Sequence, residues 1–326
     1  MTNRERFHNV MEFKKVDRVP MVELFAWWDK TIDRWKNEGF PKDLNDPEEI
    51  REKYFGLDPY KQCWIGTLSP DFVKAEWGKE SDMETYERIK SHLYPQVAFD
   101  KKMVSAWAEE QKRGNAVIWI TLEGFFWFPR TLFGIEKHLY AFFDSAEVMH
   151  RMNQDLLDFQ LRVYKEFCEI CVPDFMSFAE DLSYNNGPMI SKPLFDEFLA
   201  PYYKQIVPVL KEKGTIPFID TDGKIDKLIP WFMEVGVDGF LPLEAQAGVD
   251  IVEYRKQYPK VRLFSAYDKM TMSKTESDMR NEFERIFPVM KQGGYIPSVD
   301  HQTPPGVSLD NYRIYLKLLK EYCNKI

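Results

Sequence analysis

The chain has 326 residues, of which 44% are hydrophobic, and its net charge is −8 because 52 acidic side chains outnumber 44 basic ones. This length is enough for one large barrel or two ordinary domains, and the apolar share supports a sizeable core. The acidic balance and the lack of a Lys/Arg block argue against a nucleic-acid partner. No run approaches 18 apolar residues, so we expect no membrane span.

The N-terminus MTNRERFHNVMEF is charged and has no apolar segment typical of a secretion signal. The whole chain has four cysteines, which are too few for a disulfide scaffold. We therefore expect a cytoplasmic protein.

Strands and helices alternate along the predicted elements. Gly and Pro stop signals, Ser caps and apolar runs place the boundaries. A short polar helix over 1–17 comes first, and a hairpin is predicted around Asp71–Trp77. The other predicted helices are 29–39, 95–113, 128–143, 145–171, 191–213, 224–235, 248–257, 275–291 and 308–322. The predicted strands are 19–27, 61–67, 116–122, 173–179, 215–219, 238–242, 261–266 and 294–299.

This alternation predicts right-handed crossovers and a parallel sheet. Eight strands in a chain of this length favour a closed barrel. The fold class is therefore α/β, a single (β/α)8 TIM barrel with an N-terminal helical extension, over one domain of residues 1–326. Neither a Gly-rich dinucleotide motif nor a P-loop motif occurs in the sequence.

Acidic residues close six of the apolar runs. In a TIM barrel the C-terminal ends of all strands meet at one face, so these side chains would converge there. Such a group could bind a cation, move protons, or do both. The places are Glu123, Glu180-Asp181, Asp220 with Asp222, Glu244, Asp268 and Asp300-His301.

The sharpest local pattern is Asp220-Thr221-Asp222-Gly223. Residues i and i+2 of a strand share a face, so both carboxylates can point to one centre, and Gly223 allows a sharp turn. Paired acids can hold a divalent cation or share a proton. The alternative is that Asp222 only caps a helix starting near Ile225.

Among the five histidines, only His301 follows a strand end directly. Imidazole is suited to proton transfer near neutral pH and to metal binding. The alternative is a loop histidine bonded to Asp300. Glu180 and Asp181 are neighbours, so only one of them is expected to reach the site. Glu244 and Asp268 are each as well explained by a cap or an ion pair.

Aromatic residues crowd two strand ends. They could line a pocket for a flat or apolar ligand, or they could simply pack in the core. The residues taken as substrate-binding candidates are Trp27, Trp28, Phe125 and Trp127, together with Asp181 and Asp268.

Four segments carry a resemblance to the uroporphyrinogen decarboxylase superfamily, over nearly the full length. They read RERFHNVMEFKKVDRVP, EDLSYNNGPMISKPLFDEFLAPYY, DTDGKIDKLIPWFMEVGVDGFLPLEAQAGVD and GGYIPSVDHQTPPGVSLDNY. The resemblance implies a (β/α)8 barrel with its site at the strand C-termini. The family holds haem-pathway decarboxylases and zinc-dependent methyltransferases that act with corrinoid proteins. It also raises the expectation of a homodimer.

The sequence departs from both branches of this family. The decarboxylases' arginine-rich motif after the first strand is replaced by ELFAWWDKTIDRW, their acid after the second strand by GTLSPD, and their tyrosine after the third by the aromatics of EGFFWFPR. The methyltransferases' His-x-Cys pair corresponds to Asp220-x-Asp222, and their last cysteine ligand lies near Asp300-His301. An acidic pocket would also repel a polycarboxylate substrate.

Three hypotheses follow. The first is a methyltransferase nearer the corrinoid branch, using Zn, Mn or Fe held by Asp220, Asp222, His301 and Glu244, with His301, Asp222 and Glu180 as catalytic residues. It would move a methyl group between a small methylated compound and a corrinoid protein. The alternative is metal-free decarboxylation of a tetrapyrrole or another carboxylated substrate. The third is non-catalytic binding of a small amine by acids and tryptophans.

Overall fold

A computed structural model describes residues 1–72 and 82–326. The predicted hairpin around Asp71–Trp77 lies largely outside these residues. Seven of the strands form the main sheet, and β4 and β5 form a separate antiparallel hairpin. The strands are β1 (Tyr60–Trp64), β2 (Val117–Glu123), β3 (Phe175–Ala179), β4 (Ser183–Tyr184), β5 (Gly187–Pro188), β6 (Ile216–Asp220), β7 (Gly239–Leu241), β8 (Arg262–Tyr267) and β9 (Tyr295–Val299).

Each predicted helix has a counterpart in place, although two of them are divided, and the helix Met83–Ile89 lies where none was predicted. The helices predicted over 128–143 and 191–213 are each broken into two, at Gly134 and at Leu199. Within the described ranges, no helix combines the length and the apolar character needed to cross a bilayer. The helices are α1 (Asn3–Met11), α2 (Asp29–Asn37), α3 (Pro47–Glu49), α4 (Met83–Ile89), α5 (Lys101–Lys112), α6 (Trp127–Phe133), α7 (Ile135–Asp144), α8 (Ala146–Cys168), α9 (Lys192–Phe198), α10 (Ala200–Glu212), α11 (Leu228–Glu234), α12 (Ile251–Gln257), α13 (Glu276–Lys291) and α14 (Leu309–Cys323).

The main sheet is parallel throughout, in the order β1-β2-β3-β6-β7-β8-β9. It curls so that one face encloses an apolar interior. Phe175 of β3 stacks on Trp119 of β2 with ring centroids 5.2 Å apart, and it also lies 5.8 Å from Phe264 of β8. The prediction of an α/β fold with a parallel sheet is therefore confirmed, and the curl is consistent with a TIM barrel.

The strand predicted over 19–27 is wrong, and the sheet is consequently not closed by a backbone ladder. Pro20 has no N–H to donate, and Ala26 takes a left-handed conformation with φ 60°. The Met21 carbonyl accepts the Asp58 backbone N–H at 2.8 Å, and other backbone groups between them bond to side chains. The Met21 N–H donates to Asp58 Oδ2 at 2.8 Å, and the Leu24 N–H donates to Ser298 Oγ at 3.0 Å.

Residues 19–25 still lie between the two edge strands, and we call this segment the seam. On the β1 side, the Tyr60 hydroxyl contacts the carbonyls of Glu23 and Leu24, at 2.6 and 2.5 Å. On the β9 side, Glu23 Oε1 accepts from Ser298 Oγ at 3.3 Å, and its Oε2 accepts from the Tyr312 hydroxyl at 2.7 Å. The seam is thus held largely by side chains, with a backbone hydrogen bond at Met21, rather than by strand pairing.

Glu23 is fully buried, and burial raises its pKa to about 8. The ordinary value is 4.5, so between these pH values the folded chain holds a proton that the unfolded chain has lost. The free energy of unfolding therefore falls as pH rises from about 4.5 to about 8.

We predict that Glu23→Gln removes this pH-dependent loss, which is on the order of 3–5 kcal/mol. Denaturant unfolding at pH 5, 6.5 and 8 measures it. The variant should gain stability relative to the wild type as pH increases. Parallel pH curves for the two proteins would contradict the assignment of a buried, protonated Glu23 to the seam.

Candidate active site

Alternation along the strands decides which acidic side chains face the interior of the curled sheet. Register partners Thr121 and Ser177 hydrogen-bond across the interior face at 3.1 Å. Glu123 lies two positions further along β2, on the same face at the C-terminal end, and Asp220, the register partner of Ala179, points inward as well. Asp181 lies beyond the end of β3 with φ 39°, and its contact with the Asp222 N–H places it beside Asp222.

Four carboxylates form what we call the acidic cluster: Asp181, Asp220, Asp222 and Glu244. Asp181 Oδ1 accepts the Asp222 N–H at 3.3 Å, and Glu244 Oε2 accepts the Gly223 N–H at 3.4 Å. The backbone after β6 thus joins the acids that follow β3 and β7. All four side chains are partly exposed, so the cluster is open to solvent at the C-terminal end of the sheet.

Gly223 is required by this turn. Its φ is +80°, and an added Cβ would come within 2.6 Å of the Tyr184 backbone. The chain can therefore turn sharply after Asp222, as the sequence pattern predicts. The helix that follows, α11, begins only at Leu228 with Lys227 at the cap position. Asp222 is not its cap, and that alternative is excluded.

Lys269 supplies a positive charge beside the acidic cluster. Its Nζ lies 3.2 Å from Glu244 Oε1 and 3.4 Å from Asp300 Oδ1. Asp300 is fully buried, and its Oδ2 also accepts the Ala245 N–H at 2.9 Å. The ammonium group therefore links the ends of β7, β8 and β9 and fixes the position of two carboxylates.

Burial and mutual repulsion raise the pKa values of the acids. Burial raises the pKa of Asp222 to about 7, and Glu244 and Asp181 add to the effect. The pKa of Asp220 is raised well above its ordinary value, first by enclosure in protein and then by Asp181 and Asp222. Burial raises the pKa of Asp300 to about 6, although Lys269 opposes the rise. At neutral pH the cluster thus holds protons as well as charge.

His301 lies at the same end of the sheet as Asp222. Its ring stacks on Phe25 of the seam, with centroids 5.3 Å apart. Burial lowers its pKa, while Glu244 and Asp181 act in the opposite direction. These two carboxylates influence Asp222 as well, so Asp222 and His301 share the same surroundings. A neutral imidazole at pH 7 can accept a proton or a hydrogen bond.

Glu180 does not belong to the acidic cluster. Its side chain points away from the interior, where Oε2 accepts the N–H groups of Phe126 and Trp127 at 2.9 and 3.0 Å. Oε1 accepts the Tyr203 hydroxyl at 2.5 Å. Both oxygens are therefore occupied in holding the start of α6 and part of α10, and of the pair Glu180-Asp181 only Asp181 faces the acidic cluster.

We predict that Gly124→Ala destabilises the protein by about 1–3 kcal/mol through overpacking. The added Cβ would lie 1.9 Å from Glu180 Oε2 and 2.7 Å from the Ala179 carbonyl oxygen. Gly66→Ala is the matched control, since nothing lies within 4 Å of its Cβ position. Thermal melts of both variants make the comparison. Equal melting temperatures would contradict the close contact at Glu180.

The aromatic candidates separate into two groups. Trp27 and Phe125 are buried in the core, Trp27 against Trp35 and Tyr312, and Phe125 against Tyr203. Trp28 is 47% exposed, at the start of α2.

Trp127 is partly exposed beneath the Arg130 guanidinium, which lies 5.0 Å from its ring. Asp268 Oδ1 accepts from Met270 N–H at 2.9 Å and from Gln246 Nε2 at 2.6 Å, so it holds a turn beside the cluster.

Sequence reasoning missed Lys269 as a member of this end of the sheet, whereas it placed Glu123 there without giving it a role in the site. Lys269 directly follows Asp268. A lysine close to several strand-end acids in the sequence predicts an ion pair with one of them. Glu123 closes β2 as the other acids close their strands. Arg130, whose Nη1 donates to the Asp181 carbonyl at 3.1 Å, had no comparable signal.

The donor chemistry of the cluster fits a hard divalent cation, because its ligands would be carboxylate oxygens with one imidazole. A cation would also relieve the repulsion that raises the pKa values of Asp220 and Asp222. Within residues 1–72 and 82–326, however, no three His, Cys, Asp or Glu side chains are placed closely enough to hold an ion. Binding would require these side chains to draw together.

A family model described as uroporphyrinogen decarboxylase (URO-D) matches residues 81–322. This is most of the chain, and the protein belongs to the uroporphyrinogen decarboxylase family. Comparison with curated protein sequences finds no match.

Among the solved structures that match the chain, two illustrate different degrees of similarity. A methyltransferase from Methanosarcina mazei aligns over 99% of each chain, with 12% identity and a TM-score of 0.70. At this identity the likeness shows the fold alone. A B12-independent methionine synthase from Shewanella sp. W3-18-1, in complex with selenomethionine, aligns over 68% of this chain and 65% of its own, with 12% identity and a TM-score of 0.45. A TM-score of 0.45 is too low for this similarity to carry a functional argument.

Proposed function

We propose that this protein is an enzyme that moves a methyl group from a heteroatom of a small methylated compound to an acceptor, with a corrinoid carried by a partner protein as that acceptor. The observation that carries the proposal is the acidic cluster, in which Asp222 has a pKa near 7 at the solvent-open end of the sheet. Titratable groups with shifted pKa values at the C-terminal end of a barrel are typical of catalytic sites.

Methyl transfer needs a proton at the leaving heteroatom. The carbon–heteroatom bond breaks, its electron pair stays on the heteroatom, and the methyl carbon forms its new bond with an electron pair that the acceptor supplies. A leaving oxygen then takes up a proton, whereas the nitrogen of a protonated amine already carries one and leaves as the neutral amine. A carboxyl group with a pKa near the working pH is suited to donate the proton to a leaving oxygen, because it is protonated in part of the molecules and readily gives the proton up. Asp222 is the proposed proton donor. Asp181 positions it, because Asp181 Oδ1 accepts the backbone N–H of Asp222.

Lys269 and His301 complete the proposed site. Lys269 fixes Glu244 and Asp300, so the charge around Asp222 stays in place during the reaction. His301, whose pKa is lowered, would accept a hydrogen bond from a protonated substrate group. Each of these residues acts by orienting or by moving a proton.

We further propose Asp220, Asp222, Glu244 and His301 as ligands of a divalent cation such as Zn, Mn or Fe. Such an ion would polarise the substrate heteroatom and make it a better leaving group. Ligand carboxylates must be deprotonated, so metal binding and proton storage compete for Asp222. Elemental analysis of the purified protein separates the two cases: one bound ion per chain supports the metal, and its loss in Asp220→Ala would place it here.

The direct test is a methyl-transfer assay with reduced corrinoid as acceptor and a panel of methylated amines, alcohols and aryl ethers as donors. Loss of the reduced corrinoid's absorbance that requires both donor and protein supports the proposal. Uroporphyrinogen is assayed in parallel. Decarboxylated product formed with no methyl transfer would favour the decarboxylase alternative, and tight amine binding without either reaction would favour a binding protein.

A further inference from the structure

Glu123 is a half-buried residue whose carboxylate the proposed chemistry leaves unused. It closes β2 and faces the interior, and protein covers its Oε2 completely. Among the described residues, this oxygen has no hydrogen-bond partner. Burial raises the pKa of Glu123 to about 7, and only hydrogen bonding from Trp64 opposes the rise. A buried acceptor without a partner is costly unless a ligand satisfies it.

Trp64 stands beside Glu123 on the same face. It is the last residue of β1 and the register partner of Thr121, which lies two residues before Glu123. Register partners share a face, so the indole and the carboxylate are diagonal neighbours. Trp64 is 51% exposed although its strand is otherwise well covered. An exposed side chain on the interior face at the C-terminal end of β1 must be exposed toward the opening of the barrel.

The groups beneath this pair have their hydrogen bonds satisfied. Gln62 Nε2 donates to Thr121 Oγ1 at 3.0 Å, and Trp119 Nε1 donates to Ser177 Oγ at 2.9 Å. These groups form a fixed polar floor under Glu123. Above this floor, Glu123 Oε2 therefore retains unmet hydrogen-bonding capacity.

We propose that Glu123 and Trp64 bind the methylated ammonium group of a small amine. The carboxylate oxygen accepts the ammonium N–H and balances its charge, and the indole face packs against the methyl groups through a cation–π contact. The inference rests on the proposed function in one respect: it names methylated amines as the class of methyl donor. No metal or corrinoid is needed for this binding step.

The test uses trimethylammonium as the probe and tert-butanol, which has the same three methyl groups and one donor but no charge, as its neutral counterpart. Titration calorimetry of the full chain measures both. The wild type should bind trimethylammonium at least about tenfold more tightly, as expected for a charge-assisted contact. Equal affinity for the two probes would overturn the proposal.

Glu123→Gln keeps the size of the side chain and removes its charge, so the preference for the cation should disappear. Trp64→Leu should weaken trimethylammonium binding by about five- to tenfold, and Trp64→Phe, which keeps a ring face, should weaken it less. Glu109→Gln makes the same chemical change on the exposed surface of α5 and should change nothing. Circular dichroism confirms that each variant is folded. Wild-type affinity in folded Glu123→Gln would overturn the proposal.

The binding result and the methyl-transfer result are independent. Charge-selective binding lost in Glu123→Gln supports this inference even if the wild type transfers no methyl group to the corrinoid, in which case the proposed function fails alone. Methyl transfer at an unchanged rate from amines by Glu123→Gln would overturn this inference and leave the proposed function standing.

Discussion

Asp222→Asn should lower the rate of methyl transfer from an oxygen donor, such as an alcohol or an aryl ether, by about 100-fold or more, which is the usual contribution of a general acid. The amide keeps the shape of the side chain and its place beside Asp181, but it cannot give a proton to the leaving heteroatom. The fold should not suffer, because the substitution removes one of the charges that repel each other in the acidic cluster. The steady-state rate and the melting temperature, measured on the same preparation, check both parts.

The pH profile adds a second readout. The acid form of Asp222 is the active one, and its pKa is about 7, so the wild-type rate should decline as pH rises through about 7. In Asp222→Asn this decline should vanish. Asp268→Asn is the matched control, because Asp268 lies at the same end of the sheet but holds the turn at Met270. An unchanged rate and profile in Asp222→Asn would remove Asp222 from the mechanism.

Glu180→Ala should lower the free energy of unfolding by about 3 kcal/mol or more. The substitution leaves three hydrogen-bond donors without the carboxylate oxygens that accept from them. These donors are the N–H groups of Phe126 and Trp127 and the Tyr203 hydroxyl. All three contacts lie where water cannot replace the lost oxygen atoms, since Glu180 is fully buried. Buried groups left without partners are among the most destabilising consequences of a single substitution. Chemical denaturation measures the loss.

Glu180→Gln is the matched control for this prediction. Burial raises the pKa of Glu180 to about 7, so the side chain is already partly neutral at physiological pH. A neutral amide oxygen can still accept both backbone N–H groups, and we expect most of the stability to return. If the alanine variant were as stable as the glutamine variant, the anchoring of α6 by Glu180 would be refuted.

The sequence predicts the parallel sheet well because buried strands leave a strong signal. Runs such as AVIWITL and TIPFI are continuous apolar segments bounded by turns, which is typical of strands covered on both faces. The alternation rule also predicts that Asp220 and Asp222 lie together and that Glu180 and Asp181 diverge. These expectations depend on local geometry, which the sequence encodes directly.

The rest depends on contacts between distant segments. Residues 19–27 have an apolar strand-like composition, yet Pro20 and the left-handed Ala26 interrupt the strand, and several of its backbone groups bond to side chains such as Asp58 and Ser298. The pairing of Lys269 with Glu244 and Asp300 joins three strand ends that only the folded sheet brings together. The composition of each segment alone does not reveal such partners.

Strands joined through backbone hydrogen bonds tolerate almost any residue along their shared edge, because every amino acid other than proline offers the same N–H and C=O groups. The seam lacks this tolerance. Its hold on the two edge strands depends on the hydroxyls of Tyr60, Ser298 and Tyr312 and on the carboxyl group of Glu23. A substitution at any of these four positions would weaken the contact between the seam and its neighbouring elements. It would also disturb Phe25, whose ring stacks on His301.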